Sequence, residues 1–460
     1  MTPTRTGHDA MSGRNTRARR NSAARKNTAV RQASARASAA GRTTGRTARS
    51  SRSMRSQIAN KPARVKKNKL GRIDISFFFL VVTLVTIGLI MVFSASYATS
   101  LNETNSGLTL VRKQCLFVGM GLVAMYLLSY IPYQLYLRLF KLVYLVSLVL
   151  CIAALFFEDS GRRGARRWIQ LGPLGTFQPS ELMKFGLIVV FAALISMNYR
   201  QMGTVKKGIV PFFLYLLPVM LVIGLQRHMS CIMLMILICG VMMFVAGSKI
   251  YYLAGLIPVG LIGLVILQLM GFSYISTRID TWLDPFSDVS NSTWQVVQSI
   301  YAIGSGGLFG VGLGNSTQKF LWVSEPQNDF IFAIVCEELG LVGALAIILL
   351  FILFVASGFS IAMRAPDKFS SMVVIGVVFQ FGIQALLNIA VVSNAMPTTG
   401  IPLPFFSAGG SATLMQLAQI GVVLNISRSC RPAISRKKDP AAGDGDKEKP
   451  EIKIISSREL

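Results

Sequence analysis

The chain has 460 residues, of which 52% are hydrophobic and only 15% are charged. Soluble domains carry about 25% charged residues, so this composition excludes an ordinary soluble globular enzyme. The formal net charge is +27, and much of it lies in the N-terminal part of the chain.

Residues 1–72 are strongly basic. They hold 20 of the 47 Lys and Arg residues and a single acidic residue, Asp9. A segment with so few large apolar side chains cannot bury enough surface to offset the entropy of folding. We therefore predict a disordered cytoplasmic tail that contacts anionic lipid. No nucleic acid is expected as a partner, since no aromatic residues or folded reader accompany the charge.

The rest of the chain contains runs of about 20 apolar residues, the length that crosses a bilayer as a helix. These runs predict an all-α polytopic membrane protein with about ten transmembrane helices. The membrane domain covers 73–430, a large extracytoplasmic loop at 273–329 separates spans seven and eight, and 431–460 form a C-terminal tail. The predicted spans are 75–97, 112–131, 136–157, 181–198, 208–225, 230–247, 250–272, 330–357, 370–393 and 405–427.

The distribution of basic residues predicts the orientation. Lys and Arg in short loops mark the cytoplasmic side of a membrane protein. The basic tail places the N-terminus inside, and the loops that are then cytoplasmic contain Arg138, Arg200, Lys249 and Arg364. The C-terminal tail is basic as well, so both termini are predicted to be cytoplasmic.

The outer loop 158–180 breaks this rule because it carries four arginines. Pairing with Glu158, Asp159 and Glu181 would explain them, and so would an anionic ligand. The sequence leaves both interpretations open. The four arginines are Arg162, Arg163, Arg166 and Arg167.

The outer loop 273–329 contains two further notable features. Its tryptophans, Trp282, Trp294 and Trp322, argue against disorder and fit either a membrane-interface belt or stacking on sugar rings. Its glycine-rich run, 304–314, lacks the ending of a phosphate-binding P-loop. That run predicts either a flexible or tightly folded loop, or a backbone that a bulky substrate can approach closely.

Several carboxylates lie where chemistry is plausible. Asp329 directly precedes an apolar span and occupies an expected N-cap position, a role that would weaken it as a base. Glu337 and Glu338 fall inside that span, where acidic groups are normally functional or paired. Glu181 and Lys184 are three residues apart, so they share a helix face and can pair.

Five motifs, in order along the chain, resemble the FtsW/RodA/SpoVE (SEDS) family, and the FtsW/SpoVE branch most closely. The resemblance covers about 73–430. The motifs are GARRW at 164–168, FQPSELMK at 177–184, EPQNDFIF at 325–332, EELG at 337–340 and PFFSAGG at 404–410.

The resemblance implies a peptidoglycan glycosyltransferase of the bacterial cytoplasmic membrane. Such an enzyme polymerises lipid II, a disaccharide peptide linked to undecaprenyl diphosphate, into β-1,4 glycan strands with inversion, for cell division or the spore cortex or septum. It implies a class B penicillin-binding protein and other divisome membrane proteins as partners. The resemblance assigns no definite cofactor, and it leaves open whether a divalent cation (Mg or Mn) helps to neutralise the diphosphate. Two alternatives remain open: a lipid II flippase, and a non-catalytic divisome scaffold.

The resemblance implies that Asp329 is essential, and its motifs include Arg166, Arg167, Glu181 and Lys184. Together with the positions of the other polar residues it suggests a role for each. Asp329 is the expected catalytic base. The expected substrate-binding side chains are Arg166, Arg167, Lys184 and Lys319. The expected supporting residues are Glu181, Glu325, Gln318, Ser407, Gly409 and Gly410. One departure concerns 226–230, where His228 replaces an acidic residue that many family members carry.

Overall fold

The computed structural model describes residues 71–157, 166–170, 172, 175–254, 274–287, 293–320, 322–323 and 326–430. These residues are mostly α-helical. A short hairpin pairs β1 (Ile169–Gln170) with β2 (Thr176–Phe177) in antiparallel register. The predicted tails lie outside the described residues, apart from residues 71 and 72, and so do Arg162, Arg163 and Glu325.

The structure contains both long and short helices. The long helices are α1 (Ile75–Thr104), α2 (Thr109–Leu128), α3 (Gln134–Ala154), α4 (Pro179–Asn198), α6 (Val210–Leu225), α7 (Met229–Val245), α11 (Ile331–Arg364), α12 (Lys368–Val392) and α13 (Gly410–Ser429). The shorter ones are the 3-10 turn Tyr199–Gln201, α5 (Val205–Gly208), α8 (Ile250–Ala254), α9 (Tyr274–Leu283) and α10 (Trp294–Ser305).

Among the described residues, 7 helices are long and apolar enough to cross a membrane. They are α1, α2, α3, α4, the α5–α6 pair, α11 and α12, and each matches a predicted span. The predicted span 230–247 corresponds to α7, which is shorter. The predicted span 250–272 begins as α8 and continues outside the described residues. An all-α membrane protein is therefore confirmed, whereas the number of ten spans stays a prediction.

Helices α4 and α12 form the centre of the bundle. Most of their residues are buried, and α4 packs against α3, α7 and α12. The outer helices instead expose apolar side chains. On α2, for example, Leu116, Val123 and Leu127 are each more than half exposed, at 54%, 59% and 58%. Exposed apolar faces of this kind suit contact with lipid, and they leave the polar side chains to the protected central helices.

Helix α11 is interrupted at Gly340, whose φ of 68° and ψ of −169° are not helical. The glycine-rich run fits into this interruption. The amides of Val311 and Gly312 donate to the carbonyls of Glu337 and Glu338 at 3.0 and 3.1 Å. Backbone groups that the break would leave unpaired at membrane depth are thus satisfied by the inserted loop.

The close approach of the two backbones requires glycine. A Cβ on Gly310 would lie 2.1 Å from the carbonyl oxygen of Glu338, and Gly310 has a φ of +80°. The glycine-rich run is therefore a tightly folded loop against α11, and it does not line the cavity described below. Of the two interpretations that the sequence left open, tight folding is the one that the structure supports.

The residues that follow this loop, 316–319, provide polar partners for the two glutamates within α11. Glu337 accepts hydrogen bonds from the amide and hydroxyl of Thr317 at 2.9 and 3.0 Å. Glu338 pairs with the Lys319 ammonium at 3.0 Å. Lys319 is 2% exposed and also donates to the Ser94 hydroxyl at 3.1 Å. Both glutamates therefore bind the loop to α11.

Candidate functional site

A cavity of about 830 Å³ opens among α2, α4, α7, α12 and α13. Its wall combines the N-terminal turns of α2, α4, α7 and α13 with three irregular regions. These are the region around the β-hairpin, the segment before α11 and the segment between α12 and α13. Seven of the site residues predicted from the sequence line it, although they come from four separate parts of the chain. These residues are Arg167, Glu181, Lys184, Asp329, Ser407, Gly409 and Gly410.

Asp329 lies in the cavity wall. The residue at the N-cap position of α11 is Phe330, whose side chain makes no capping hydrogen bond. The helix therefore begins one residue later than the N-cap position that the sequence predicted for Asp329. The backbone carbonyl of Asp329 accepts a hydrogen bond from the Asn388 amide at 2.7 Å, which anchors this residue to the central helix α12.

Ser407 supports the segment that leads to Asp329. Its hydroxyl donates to the carbonyl of Asn328 at 2.8 Å, and the amide of Ala408 donates to the carbonyl of Gln327 at 2.8 Å. The loop before α13 therefore holds the two residues that precede Asp329, which is the structural role expected of a supporting residue.

Basic side chains face the same cavity. Arg167 reaches it while its guanidinium donates to the carbonyls of Gln226, at 3.3 Å, and Arg227. Lys184 is buried and pairs with Glu181 at 2.8 Å, as the three-residue spacing predicted. Lys113, at the start of α2, is the third basic side chain in the cavity wall.

Lys113 was missed by the sequence analysis, although a signal was present. Arg112 and Lys113 are the first two residues of the second predicted span, at its outer end, so they break the charge rule in the same way as the arginine loop. Applying that rule to every outer helix end would have identified Lys113.

Three of the predicted site residues that the structure describes do not line the cavity. Arg166 is exposed and donates to the carbonyl of Leu155 at 3.4 Å. The backbone amide of Gln318 donates to Glu337 at 3.3 Å, so this residue belongs to the loop against α11. Lys319 is locked in its buried pair with Glu338, which argues against contact between its ammonium and a ligand in the cavity. Glu325 lies outside the described residues.

Two further polar residues in the wall have buried atoms without hydrogen-bond partners among the described residues. These atoms are Nδ1 of His228 and Oε1 of Gln384. Buried polar atoms are nearly always satisfied, so both atoms call for a polar ligand or water in the cavity. His228 lies between α6 and α7. Burial, followed by the charges of Arg167 and Lys184, lowers its pKa to about 3, so the ring is neutral near pH 7.

The sequence matches a family described as "Cell cycle protein" (FtsW, RodA and SpoVE) over residues 75–431. Stage V sporulation protein E of Bacillus subtilis (strain 168) is 38% identical over 359 residues, which are 78% of this chain and 98% of that protein. A protein of Trichlorobacter lovleyi named "Probable peptidoglycan glycosyltransferase FtsW" is 34% identical over 389 residues, covering 83% of this chain and 99% of that protein.

Solved structures share the fold. One, described as "Structural coordination of polymerization and crosslinking by a peptidoglycan synthase complex", has a TM-score of 0.64 and 29% identity, and the match covers 78% of this chain and 98% of that chain. The rod shape determining protein RodA of Thermus thermophilus has a TM-score of 0.57 and 27% identity, with 78% and 98% covered. Since the family match spans the whole membrane part of the chain, this protein belongs to the FtsW/RodA/SpoVE family.

Proposed function

We propose that Asp329 is the general base of an inverting lipid II polymerase and that the reacting sugars occupy the cavity. The chain is a peptidoglycan glycosyltransferase, like the FtsW relatives that carry this activity in their names. The observation that carries the proposal is the shared location of the Asp329 carboxylate and three basic side chains, Lys113, Arg167 and Lys184, in the wall of one cavity. The second carboxylate of the wall, Glu181, is paired with Lys184. Such a wall suits a substrate that has both a sugar hydroxyl to deprotonate and a diphosphate to neutralise.

The proposed reaction is a single displacement. The 4-hydroxyl oxygen of the acceptor GlcNAc attacks C1 of the donor MurNAc, and its proton passes to Asp329. The bond between C1 and the phosphate oxygen breaks, and its electron pair leaves with the lipid diphosphate. An α-linked donor thereby gives a β-1,4 product, so one carboxylate base suffices.

The basic residues act on the leaving group. Diphosphate departs as an anion, so it needs positive charge more than it needs a proton. The charge of Lys184 is offset by its pairing with Glu181, so we assign the diphosphate mainly to Lys113 and Arg167. The planar guanidinium of Arg167 matches the geometry of phosphate oxygens. His228 and Gln384 would contact uncharged parts of the substrate, since their orphan atoms need hydrogen-bonding partners.

The described residues fit a resident metal poorly. They contain no group of three or more His, Cys, Asp or Glu side chains that could hold an ion. A Mg or Mn ion would therefore depend on phosphate oxygens of the substrate for most of its ligands. Every step proposed above is performed by side chains of this chain.

The expected partners follow from the same function. We propose that a class B penicillin-binding protein crosslinks the strands, which is supported by the likeness to a structure described as a peptidoglycan synthase complex. We further propose that other divisome membrane proteins bind the chain, that both termini are cytoplasmic, and that the basic segment 1–72 contacts anionic lipid. The multi-pass membrane location is established by the apolar helices and the family.

The decisive experiment gives lipid II in detergent to the purified protein with its partner transpeptidase. Wild-type protein should form glycan polymer, and Asp329→Asn should form none, because an amide cannot accept the proton. Asp284→Asn is the matched control: it makes the same change at an exposed aspartate that does not line the cavity. Near-normal polymer from Asp329→Asn would remove this residue from the role. A wild-type protein without polymer in detergent would favour the flippase or scaffold alternative, since no membrane has to be crossed.

A further inference from the structure

We propose that helix α9 positions the Asp329 carboxylate by holding the segment 394–402, and that Arg278 and Trp282 are the positioning residues. This inference rests on the proposed role of Asp329 as the base. The segment 394–402 connects α12 towards α13, and its residues 400–402 line the cavity. We refer to it as the strap.

Helix α9 binds the first half of the strap. The indole Nε1 of Trp282 donates to the carbonyl of Asn394 at 3.1 Å, and the Asn394 side-chain amide donates back to the carbonyl of Trp282 at 3.5 Å. One turn earlier on α9, the Arg278 guanidinium donates to the carbonyl of Thr398. Two side chains on one face of a short helix thus contact the strap at both ends of 394–398.

The second half of the strap is held from other helices. The Ser230 hydroxyl, in the first turn of α7, donates to the carbonyl of Thr399. The Asn388 amide of α12 donates to the carbonyl of Ile401 at 2.8 Å and to the carbonyl of Asp329 at 2.7 Å. Asn388 therefore ties the strap and the proposed base to the same point.

The backbone amides of residues 394–396 donate to carbonyls at the end of α12, whereas residues 397–402 do little to hold themselves. The described backbone hydrogen bonds include none between residues within 397–402. The stretch contains Pro397, Gly400 and Pro402, and the prolines lack an amide donor. Its conformation consequently depends on the side chains of α7, α9 and α12 that bind its carbonyls.

A shift of the strap would change the packing around the Asp329 carboxylate directly. Gly400 has a φ of +71°, and a Cβ built on it would lie 3.3 Å from Oδ2 of Asp329, so the two residues are in close contact. Displacement of a catalytic group by about 1 Å can reduce the rate on the order of 100-fold. Arg278 and Trp282 do not line the cavity, so they act on the base through the strap.

The test compares steady-state polymerisation by purified full-length variants with the partner transpeptidase. Trp282→Phe removes one donor and keeps an aromatic ring, and Arg278→Met removes the guanidinium. Each should lower kcat about tenfold, equivalent to about 1.4 kcal/mol of barrier, while KM changes less than about twofold. Arg278→Lys keeps a donor and should recover most of the loss.

Trp294→Phe is the matched control. Trp294 lies in the same outer region, and its Nε1 donates to the carbonyl of Trp322 at 2.7 Å. Trp294→Phe therefore removes the same kind of indole hydrogen bond, but from a carbonyl that does not belong to the strap. Its kcat should stay within about twofold of wild type. The thermal midpoints of all variants identify losses of activity that come from unfolding. If Arg278→Met does not fold, the comparison is made with Arg278→Lys.

Three results would overturn the inference: unchanged kcat in Trp282→Phe and Arg278→Met, an effect on KM alone, or an equal loss in Trp294→Phe. The proposed function fails separately. Polymer made by Asp329→Asn refutes the role of the base, whereas an inactive Asp329→Asn together with fully active α9 variants refutes only the positioning by α9.

Discussion

At the scale of single residues, the motifs identified seven residues of the cavity wall but misplaced two cations, Arg166 and Lys319. Lys319 lies closer to Asp329 in sequence than Arg167 or Lys184 does, yet its ammonium is buried against Glu338. That position depends on the break in α11, which no local pattern revealed. Arg167 and Lys184 belong to motifs that resemble those of the family, so the sequence identified them. Gln384 lies within an ordinary apolar span, and only the packing of the helices brings it to the cavity.

His228 should make the protein more sensitive to acid. Its pKa in the folded protein is about 3, below the ordinary value of 6.5. Between these two pH values, His228 is protonated in the unfolded chain and neutral in the folded protein, so acid favours unfolding. This contribution to stability is fully present above pH 6.5 and is lost as the pH falls towards 3. Between pH 7 and pH 5 the loss amounts to at most about 2 kcal/mol, from about 1.4 kcal/mol per pH unit.

Comparison with His228→Gln, which cannot titrate, isolates this effect. The thermal midpoint of the detergent-solubilised wild type should fall further between pH 7 and pH 5 than that of the variant. Other titrating groups, including His8, are common to both proteins and cancel in the difference. Equal falls in the two proteins would show that His228 is accessible to protons in the folded state.

At the scale of elements, the helix positions were predicted well and their ends less well. The predicted span 75–97 begins where α1 begins but stops short of Thr104, because hydropathy reports the membrane-embedded length and not the end of the hydrogen-bonded helix. The predicted span 405–427 starts five residues before α13. Residues 405–409 are apolar or small, yet they form the irregular loop that contributes Ser407 and Gly409 to the cavity.

The break in α11 leads to a prediction about Gly310. Gly310→Ala should destabilise the protein strongly, because the backbone conformation alone costs about 1–3 kcal/mol and the new methyl would collide with the Glu338 carbonyl. Gly304→Ala is the control: this glycine lies in α10, and a Cβ added to it would meet nothing within 4 Å. Alanine there should be neutral or stabilise the helix by up to about 1 kcal/mol.

Thermal unfolding of both variants in detergent measures the contrast. Gly310→Ala should show a midpoint well below that of wild type and a reduced yield of folded protein, whereas Gly304→Ala should match or exceed wild type. A Gly310→Ala protein as stable as wild type would mean that the loop does not insert against α11 in the way described.

At the scale of the whole molecule, composition alone predicted a helical membrane protein, and the helices and the family confirm it. The cavity could not be derived in this way. It forms where the ends of five helices meet, and the polar residues around it come from segments as distant in sequence as Lys113 and Gln416. Hydropathy describes what each helix presents to lipid, whereas the arrangement of the central helices follows from packing between them.

The orientation of the molecule decides whether its cavity can meet a substrate outside the cell. The charge rule places the connection that contains Arg200 and Lys206 on the cytoplasmic side, and α9 and Asp329 on the outer side of the membrane. Single cysteines at two exposed positions test this: Ser287→Cys follows α9, and Lys206→Cys lies in α5. Each is introduced separately into a variant that lacks the six native cysteines and still forms polymer.

A membrane-impermeant maleimide applied to intact spheroplasts should label the cysteine at position 287 and spare the one at 206, which should react only after permeabilisation. Labelling at 206 alone in intact spheroplasts would place Asp329 in the cytoplasm, where polymerisation of exported lipid II by this cavity is impossible. Labelling at both positions would place both on the outer side, so an even number of spans would separate them and the predicted topology between α5 and α9 would be wrong. The experiment therefore tests the number of spans over 250–272 together with the side on which the proposed base works.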